Sequence, residues 1–537
     1  MLRRGSLVVV LALSARAFAQ GQEMPQEPGA GSGSGSAGEP AKPEQTGTAQ
    51  PTAPDDAKPP EQPHPVEAPA TPVKKTPISW GSEAPAPNPD RGFRFGSYGR
   101  VLVGADSRGG KAERLLIVAH GPRIVEPSYL ELEFSYGFDK LVANNNVIVM
   151  RPIITLAFND TLFHETGQFD AQPALRNMYL DAAVSRDLTL WAGSRMYRGD
   201  DIYLFDYWPL DDQNTLGTGI DYHTTAAWRA LGGEGVGDKV EVAGHFGVNR
   251  LDHPFQFQEI DVANPVQGAT TVEQLNRQRF VTSGTVTYTA MPGGSGPGAK
   301  LKLHTEFHSL PSGTRKREDG TFEPLPHDTG FLIGAEVGLF GMADPKSHFR
   351  RHLNGFVRYA NGLAAFDELA PPTSFGPDLK TNRANELTFG LSGNYDMEFA
   401  QLMLGVLSRR FTDADADTAD ADDGWEYAFD VRPLARIVPS WYVGADISYQ
   451  ARFPRGLNPI TLRAEDPALF QLAPMLVYSP MGPSAYDRPQ LRLVYRYAHL
   501  NEAALDEYVP MDPRHDHATV HYIGVQAEWW FNSTTYR

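Results

Sequence analysis

The segment 190–209, LWAGSRMYRGDDIYLFDYWP, combines six aromatic residues with three acids and two arginines. A sugar ring has an apolar C–H face that stacks on an aromatic ring. It also has a rim of hydroxyls whose lost water bonds must be replaced by polar groups. Aromatic and charged side chains interleaved in one segment therefore indicate a carbohydrate-binding surface.

The beginning of the chain has the pattern of a secretory signal peptide. Arg3 and Arg4 precede an apolar run at 7–13, and Ala17-Phe18-Ala19 supplies the small residues of a cleavage site. We therefore expect residues 1–19 to be a signal peptide. No later stretch approaches the roughly 20 apolar residues that a membrane helix requires. A membrane protein of this sequence must then be a closed barrel, since only helices and barrels satisfy the backbone in hydrocarbon. A soluble periplasmic protein is the alternative.

Residues 20–90 have the composition of a disordered linker. They are rich in Pro, Ala, Gly and Glu and contain almost no large apolar side chain. Such a segment cannot bury enough surface to offset its ordering entropy. We expect a periplasmic tether here, followed by a folded domain at 91–537, because hydrophobic patterning begins at Phe93 and continues to Phe531.

Composition argues against several classes of ligand. The chain has no cysteine, which excludes disulfides and thiolate metal sites, and its net charge of −17 speaks against nucleic acid as a partner. The acidic run at 413–423 lacks the glycine and glutamate spacing of a calcium loop. His515 and His517 have no accompanying ligand motif. We predict no cofactor and no metal.

The folded region alternates between apolar and polar residues with a period of two. In YLELEFSY at 129–136, Leu130, Leu132 and Phe134 fall on one face and Glu131 and Glu133 on the other. About eighteen such segments follow one another, many of them longer than the strands of soluble proteins. The pattern predicts an all-β fold, a transmembrane antiparallel β-barrel with lipid outside and water inside.

The chain resembles the maltoporin family of sugar-specific outer-membrane porins from about Phe93 to Phe531. The segment WAGSRMYRGDDIYLFDYW at 191–208 carries the strongest similarity. Shorter matches follow in the family's order: FGSYGR at 95–100, YLEL at 129–132, ALRN at 174–177, RPQLRLVYRYA at 488–498 and GVQAEWWF at 524–531. The resemblance implies an eighteen-stranded barrel with an inward-folded third loop, assembled as a homotrimer in the outer membrane.

The resemblance also implies a row of pore aromatics, the sugar slide, which stacks on the substrate. By motif this row comprises Tyr98, Tyr129, Tyr486 and Trp530. The period of two independently places Trp530 on the face of Glu528 and places Trp529 towards lipid. The alternative for each ring is an aromatic of the membrane-interface girdle. Where the family has a further slide phenylalanine, this chain has His352 and Leu353.

Charged residues beside the slide would bind sugar hydroxyls. The resemblance implies a polar track of Arg100, Arg123, Glu131, Arg176 and Arg198, and a constriction formed by Asp201, Asp206 and Trp208. Structural ion pairing within the barrel wall is the alternative for these residues. The predicted function is passive, sugar-selective diffusion of maltodextrin-like oligosaccharides, with oligosaccharide and lipid as partners. A non-specific or anion-selective porin is the alternative, and no serine, histidine and acid at a matching spacing indicate an enzyme.

Overall fold

The computed structural model describes most of the predicted folded domain. The described residues are 92–110, 114–143, 146–159, 173–185, 187–224, 238–249, 256–264, 268–275, 277–290, 297–317, 319–341, 351–367, 371–415, 421–482, 484, 487–512 and 514–533. The predicted signal peptide at 1–19 and the linker at 20–90 lie outside these residues and stay predictions.

The described residues are almost entirely β-strand. The strands are β1 (Gly92–Asp106), β2 (Tyr129–Ala143), β3 (Asn146–Phe158), β4 (Ala174–Ala183), β5 (Leu188–Arg198), β6 (Asp212–Thr224), β7 (Lys239–Asn249), β8 (Phe257–Asn264), β9 (Gly268–Leu275), β10 (Arg279–Ala290), β11 (Gly298–Leu310), β12 (Gly313–Lys316), β13 (Phe322–Leu325), β14 (Asp328–Phe340), β15 (Arg351–Gly362), β16 (Asn385–Asp396), β17 (Ala400–Thr412), β18 (Gly424–Val438), β19 (Trp441–Pro454), β20 (Ala468–Tyr478), β21 (Gln490–Leu500) and β22 (Thr519–Phe531). Short helical turns occur at Tyr203–Phe205, Leu363–Ala365 and Glu502–Leu505. No helix in the described part of the chain is long and apolar enough to cross a membrane.

Eighteen of these strands form one closed antiparallel barrel. Each barrel strand pairs with its neighbour in the chain, and β1 also pairs with the last strand, β22, so that no edge remains. The predicted barrel of about eighteen strands is therefore confirmed. The other four strands form two hairpins, β8–β9 and β12–β13, within connections between barrel strands.

Alternation of side chains determines which residues face the barrel interior. On β11, Lys302, His304 and Glu306 are buried inside, whereas Leu303 and Phe307 on the opposite face are 53% and 52% exposed. Exposed apolar side chains on the outer face match a hydrocarbon environment, and the polar interior matches water. The period-two pattern of the sequence is thus the pattern of the barrel wall.

Two connections fold into the barrel. We call the described residues between β1 and β2, 107–110 and 114–128, loop 1. We call residues 199–211, between β5 and β6, loop 3. Their apolar side chains pack with inward-facing side chains of the wall in one buried cluster, which includes Leu115, Ile117, Val118, Ile202, Leu204, Phe205, Leu210, Phe356, Met403, Leu407 and Ala428. Gly405 of β17 permits this approach, because a Cβ there would lie 3.2 Å from Ile202 and 3.3 Å from Leu204. The inward-folded third loop is therefore confirmed.

Candidate functional site

Three predicted slide aromatics form a continuous row on the inner wall. The ring centroids of Trp530 and Tyr98 are 6.4 Å apart, and those of Tyr98 and Tyr129 are 6.0 Å apart. The row crosses β22, β1 and β2, with Tyr98 paired to Trp530 in the β1–β22 register. These spacings are typical of interacting aromatic pairs. Barrel closure thus brings together residues from both ends of the domain.

Trp529 lies on the opposite face from Trp530. Its indole covers Gly99, where an added Cβ would lie only 2.1 Å from the ring, and its Nε1 donates to Ser97 Oγ at 3.2 Å. The adjacent outward residue, Phe531, is 44% exposed. The two tryptophans therefore experience different surroundings, one inside the barrel and one on its outer side.

Arginines cover much of the aromatic row. Tyr98 is only 4% exposed, and its hydroxyl accepts hydrogen bonds from Arg100 and Arg123, each at 3.1 Å. The Arg488 guanidinium lies 4.5 Å from the Trp530 ring centroid, and Arg100 lies 5.2 Å from that of Tyr129. These are cation–π distances. A sugar could stack on Tyr98 only after the covering guanidinium groups move.

Arg176 and Glu131 meet beside Tyr129. Arg176 forms an ion pair with Glu131 and donates to the Tyr129 hydroxyl, which in turn donates to Glu131 at 2.6 Å. The β3–β4 register skips Arg176, so it occupies a β-bulge next to Asn177. Both side chains turn inward as a result, and Asn177 donates to Thr155 Oγ1 at 3.1 Å.

Loop 3 places Asp206 and Asp201 near Arg123. An Asp206 oxygen is 3.6 Å from Arg123, and the residue has a left-handed backbone with φ of 55°. Burial alone would raise the pKa of the Asp206 carboxyl, but Arg123 and Arg100 outweigh it and lower that pKa to about 2. Burial, reinforced by the charge of Asp206, raises the pKa of Asp201 to about 7. Of these two carboxyls of loop 3, Asp206 therefore favours its charged form more than an ordinary aspartate does, and Asp201 favours its neutral form more.

Trp208 does not present a free face. The Arg198 guanidinium lies 3.7 Å from its ring centroid, Arg198 pairs with Asp212 at 2.8 Å, and Trp208 is 6% exposed.

Ion pairs with β11 hold loop 3 at both of its ends. Lys300 pairs with Asp200 at 2.8 Å and Lys302 pairs with Asp211 at 3.0 Å.

The rings at the start of the aromatic segment 190–209 pack into the wall. Trp191 is 2% exposed and stacks on His245 at 5.4 Å and on Tyr197 at 6.2 Å. Arg195 lies 4.9 Å from both the Trp191 and Tyr197 ring centroids. Neighbouring inward side chains therefore cover Trp191, the first aromatic residue of the segment.

One expected slide residue, Tyr486, lies outside the described residues. At the site of the missing family phenylalanine, Leu353 is 37% exposed on the outer face, and the inward aromatic of the same strand is Phe356, which packs against loop 3. The described row therefore has three aromatic members.

A set of charged residues around Glu528 was not singled out from the sequence. Glu528 accepts hydrogen bonds from Arg488 at 2.9 Å and Arg492 at 2.6 Å, and lies 3.6 Å from Arg123. The alternation of the last strands indicates that Glu528 and Arg492 face inward. Nothing local in the sequence indicates that Arg123 of loop 1 reaches them.

Comparison with known proteins gives the family. The model of the LamB porin family matches residues 93–531. No curated protein sequence matched the chain. Solved structures similar to the chain include OccAB1 of Acinetobacter baumannii, with TM-score 0.40, 11% identity and coverage of 82% of this chain and 96% of that one. DcaP of the same organism has TM-score 0.37, 10% identity and coverage of 82% and 98%. Wzi of Escherichia coli, an outer-membrane protein involved in capsule assembly, has TM-score 0.37, 10% identity and coverage of 80% and 83%.

Within the described residues no group of His, Cys, Asp or Glu could hold a metal ion. The family match spans the residues over which the sequence resembles maltoporins, so that resemblance is confirmed. The fold and the family are those of a non-enzymatic diffusion channel of the outer membrane. The chain belongs to the LamB porin family.

Proposed function

We propose that the channel is selective for sugars and guides maltodextrin-like oligosaccharides along the row Trp530, Tyr98 and Tyr129. The proposal rests on the row itself. Its three inward rings follow one another across neighbouring strands, with successive ring centroids 6.4 Å and 6.0 Å apart. Arg100, Arg176 and Glu131 lie beside these rings and can bond hydroxyl groups. Stacking and hydrogen bonding are thereby available at one place.

The same structure supports a second candidate, a general porin. Tyr98 is only 4% exposed, and a guanidinium lies on the face of Trp530. If these arginines stay in place, the aromatics serve as packing and the charges alone govern passage. The two candidates differ in whether a neutral sugar can displace the arginines from the rings.

Single-channel current in the presence of sugars distinguishes the candidates. We expect linear maltodextrins of increasing length to block the ion current in a saturable way, because the stacking site lies in the conducting path. Longer chains should bind more tightly, since they span more rings. Sucrose and cyclic sugars of similar size serve as comparison ligands. A current that no sugar reduces at any concentration would favour the general porin.

We propose from the family resemblance that the protein assembles as a homotrimer. We also propose that residues 20–90 are a periplasmic linker that the channel does not need in order to conduct. Deleting residues 20–88 while keeping the signal should leave both the trimeric state and the conductance unchanged, because the linker has almost no large apolar side chain to contribute to the barrel. Light scattering of the detergent-solubilised protein and bilayer recordings test both points. A monomeric mass would contradict the first, and a lost conductance the second.

A further inference from the structure

Glu528 is the common partner of three arginines inside the barrel. Its carboxylate is 2.9 Å from Arg488, 2.6 Å from Arg492 and 3.6 Å from Arg123, and its side chain is 6% exposed. Within the described residues, Glu528 is the only carboxylate within ion-pair distance of Arg488 or Arg492. Among the described residues, Glu528 is therefore the one carboxylate that balances both Arg488 and Arg492, and it shares Arg123 with Glu126 and Asp206.

The three arginines come from different parts of the fold. Arg488 precedes β21, Arg492 lies on β21, and Arg123 belongs to loop 1. Two of them also contact the aromatic row or loop 3. Arg488 lies on the Trp530 ring and donates to the hydroxyl of Tyr203 in loop 3. The backbone N–H of Arg123 donates to the carbonyl of Leu204 at 2.9 Å. Glu528 therefore connects the wall, the aromatic row and loop 3.

Removing a carboxylate from such a group changes the field in the pore. Arg123 retains Glu126 at 2.8 Å and Asp206 at 3.6 Å, but Arg488 and Arg492 depend on Glu528 for their charge balance. Arginine stays protonated even when its partner is lost, so the positive charge remains. In a narrow pore with low-dielectric walls, that uncompensated charge attracts anions and repels cations.

We propose that Glu528 is a selectivity-determining and positioning residue of the channel. It sets the balance between anion and cation passage by neutralising Arg488 and Arg492, and it holds the arginines that contact Trp530 and loop 3. This role requires only that the barrel conducts ions. It is independent of the proposed sugar selectivity.

The test is the reversal potential of Glu528→Gln channels in a potassium chloride gradient. The anion-to-cation permeability ratio is expected to rise at least about fourfold, the factor by which a unit charge about 5 Å from a permeant ion changes its local concentration in water. The shift should shrink at 1 M salt, where the screening length is about 3 Å. A merely structural role would change stability and not this ratio.

Glu323 provides the matched control. It pairs with Arg315 and Arg317, but it lies on β13 in a hairpin outside the barrel sheet. Glu323→Gln should leave the reversal potential unchanged. A shift for Glu528→Gln no larger than that of Glu323→Gln would overturn the proposal.

A second pair of variants keeps the proposal testable if Glu528→Gln alone does not fold. The double variant Glu528→Gln, Arg488→Gln removes one charge of each sign and should return the permeability ratio towards the unsubstituted value. Arg492→Gln alone should shift the ratio towards cations, because Glu528 then balances one fewer arginine. No shift with Arg492→Gln, or no return in the double variant, would overturn the assignment.

Discussion

Replacing Arg123 by alanine is expected to raise the ion conductance and to weaken sugar block. The side chain contacts Tyr98, Glu126, Asp206 and Glu528, and its guanidinium lies 5.0 Å from the Tyr203 ring centroid. It thus joins loop 1 and loop 3 to the aromatic row. Without it, loop 3 loses a tie to the wall and the narrow part of the pore widens.

The direction of the change in sugar affinity follows from two opposing effects. Uncovering Tyr98 adds an aromatic contact of about 0.5 to 1.5 kcal/mol. Losing a charged donor to a hydroxyl costs about 1.5 to 3 kcal/mol. The loss is the larger, so block should weaken although a ring is uncovered. Stability should also fall by about 3 to 5 kcal/mol, as for other broken buried ion pairs.

Single-channel recording and urea unfolding of Arg123→Ala measure these effects together. Arg151→Ala is the matched control, because Arg151 is an inward arginine of β3 that pairs with Asp181 at 2.7 Å. It should lower stability without the rise in conductance expected for Arg123→Ala, because Arg151 belongs to the wall and not to loop 1 or loop 3. A folded Arg123→Ala channel of unchanged conductance would show that loop 3 stays in place without this residue.

Replacing Trp530 by alanine is expected to weaken sugar block, whereas replacing Trp529 should not. Trp530 faces Tyr98 inside the barrel, and removing it should cost about 0.5 to 1.5 kcal/mol of binding, or about two- to tenfold in the blocking concentration. Trp529 covers Gly99 on the outer side of the barrel wall. Its loss should therefore affect only the stability of the barrel or its position in the membrane, and not the block by sugar.

The two single variants are compared by adding increasing amounts of sugar to each channel in planar bilayers and measuring the block of the ion current. Both variants remove an indole from adjacent residues of the same strand, which makes each the control of the other. Stronger effects of Trp529→Ala than of Trp530→Ala on block would mean that sugar does not contact the inward face of β22.

Much of the fold follows from local pattern. The alternation in β2 correctly separates the inward Glu131 and Glu133 from the outward Leu130 and Phe134, because a strand has only two faces. The bulge at Arg176 does not follow from local pattern, since the alternation contains no sign of an extra residue and only the partner strand reveals it.

The site is less predictable than the wall. Which arginine covers which ring depends on loops that cross the interior and on pairings between remote strands. Arg123 contacts Tyr98, 25 residues earlier, and Tyr203 and Glu528, which are far later in the chain. The hairpins β8–β9 and β12–β13 lie outside the barrel sheet because the strands of each hairpin pair with each other.

The pairing of β1 with β22 also links the aromatic row to the order in which the barrel forms. Tyr98 and Glu528 are separated by 430 residues, and the row spans the single seam between the first and last strands. Contacts between such remote residues carry the largest loop-closure entropy and form late. A chain in which every other strand pair has formed would therefore have the contact between Tyr98 and Tyr129 but still lack the contact between Tyr98 and Trp530. Sugar binding would then report the completion of the barrel, and ligand added during refolding would favour the sealed state over the open one.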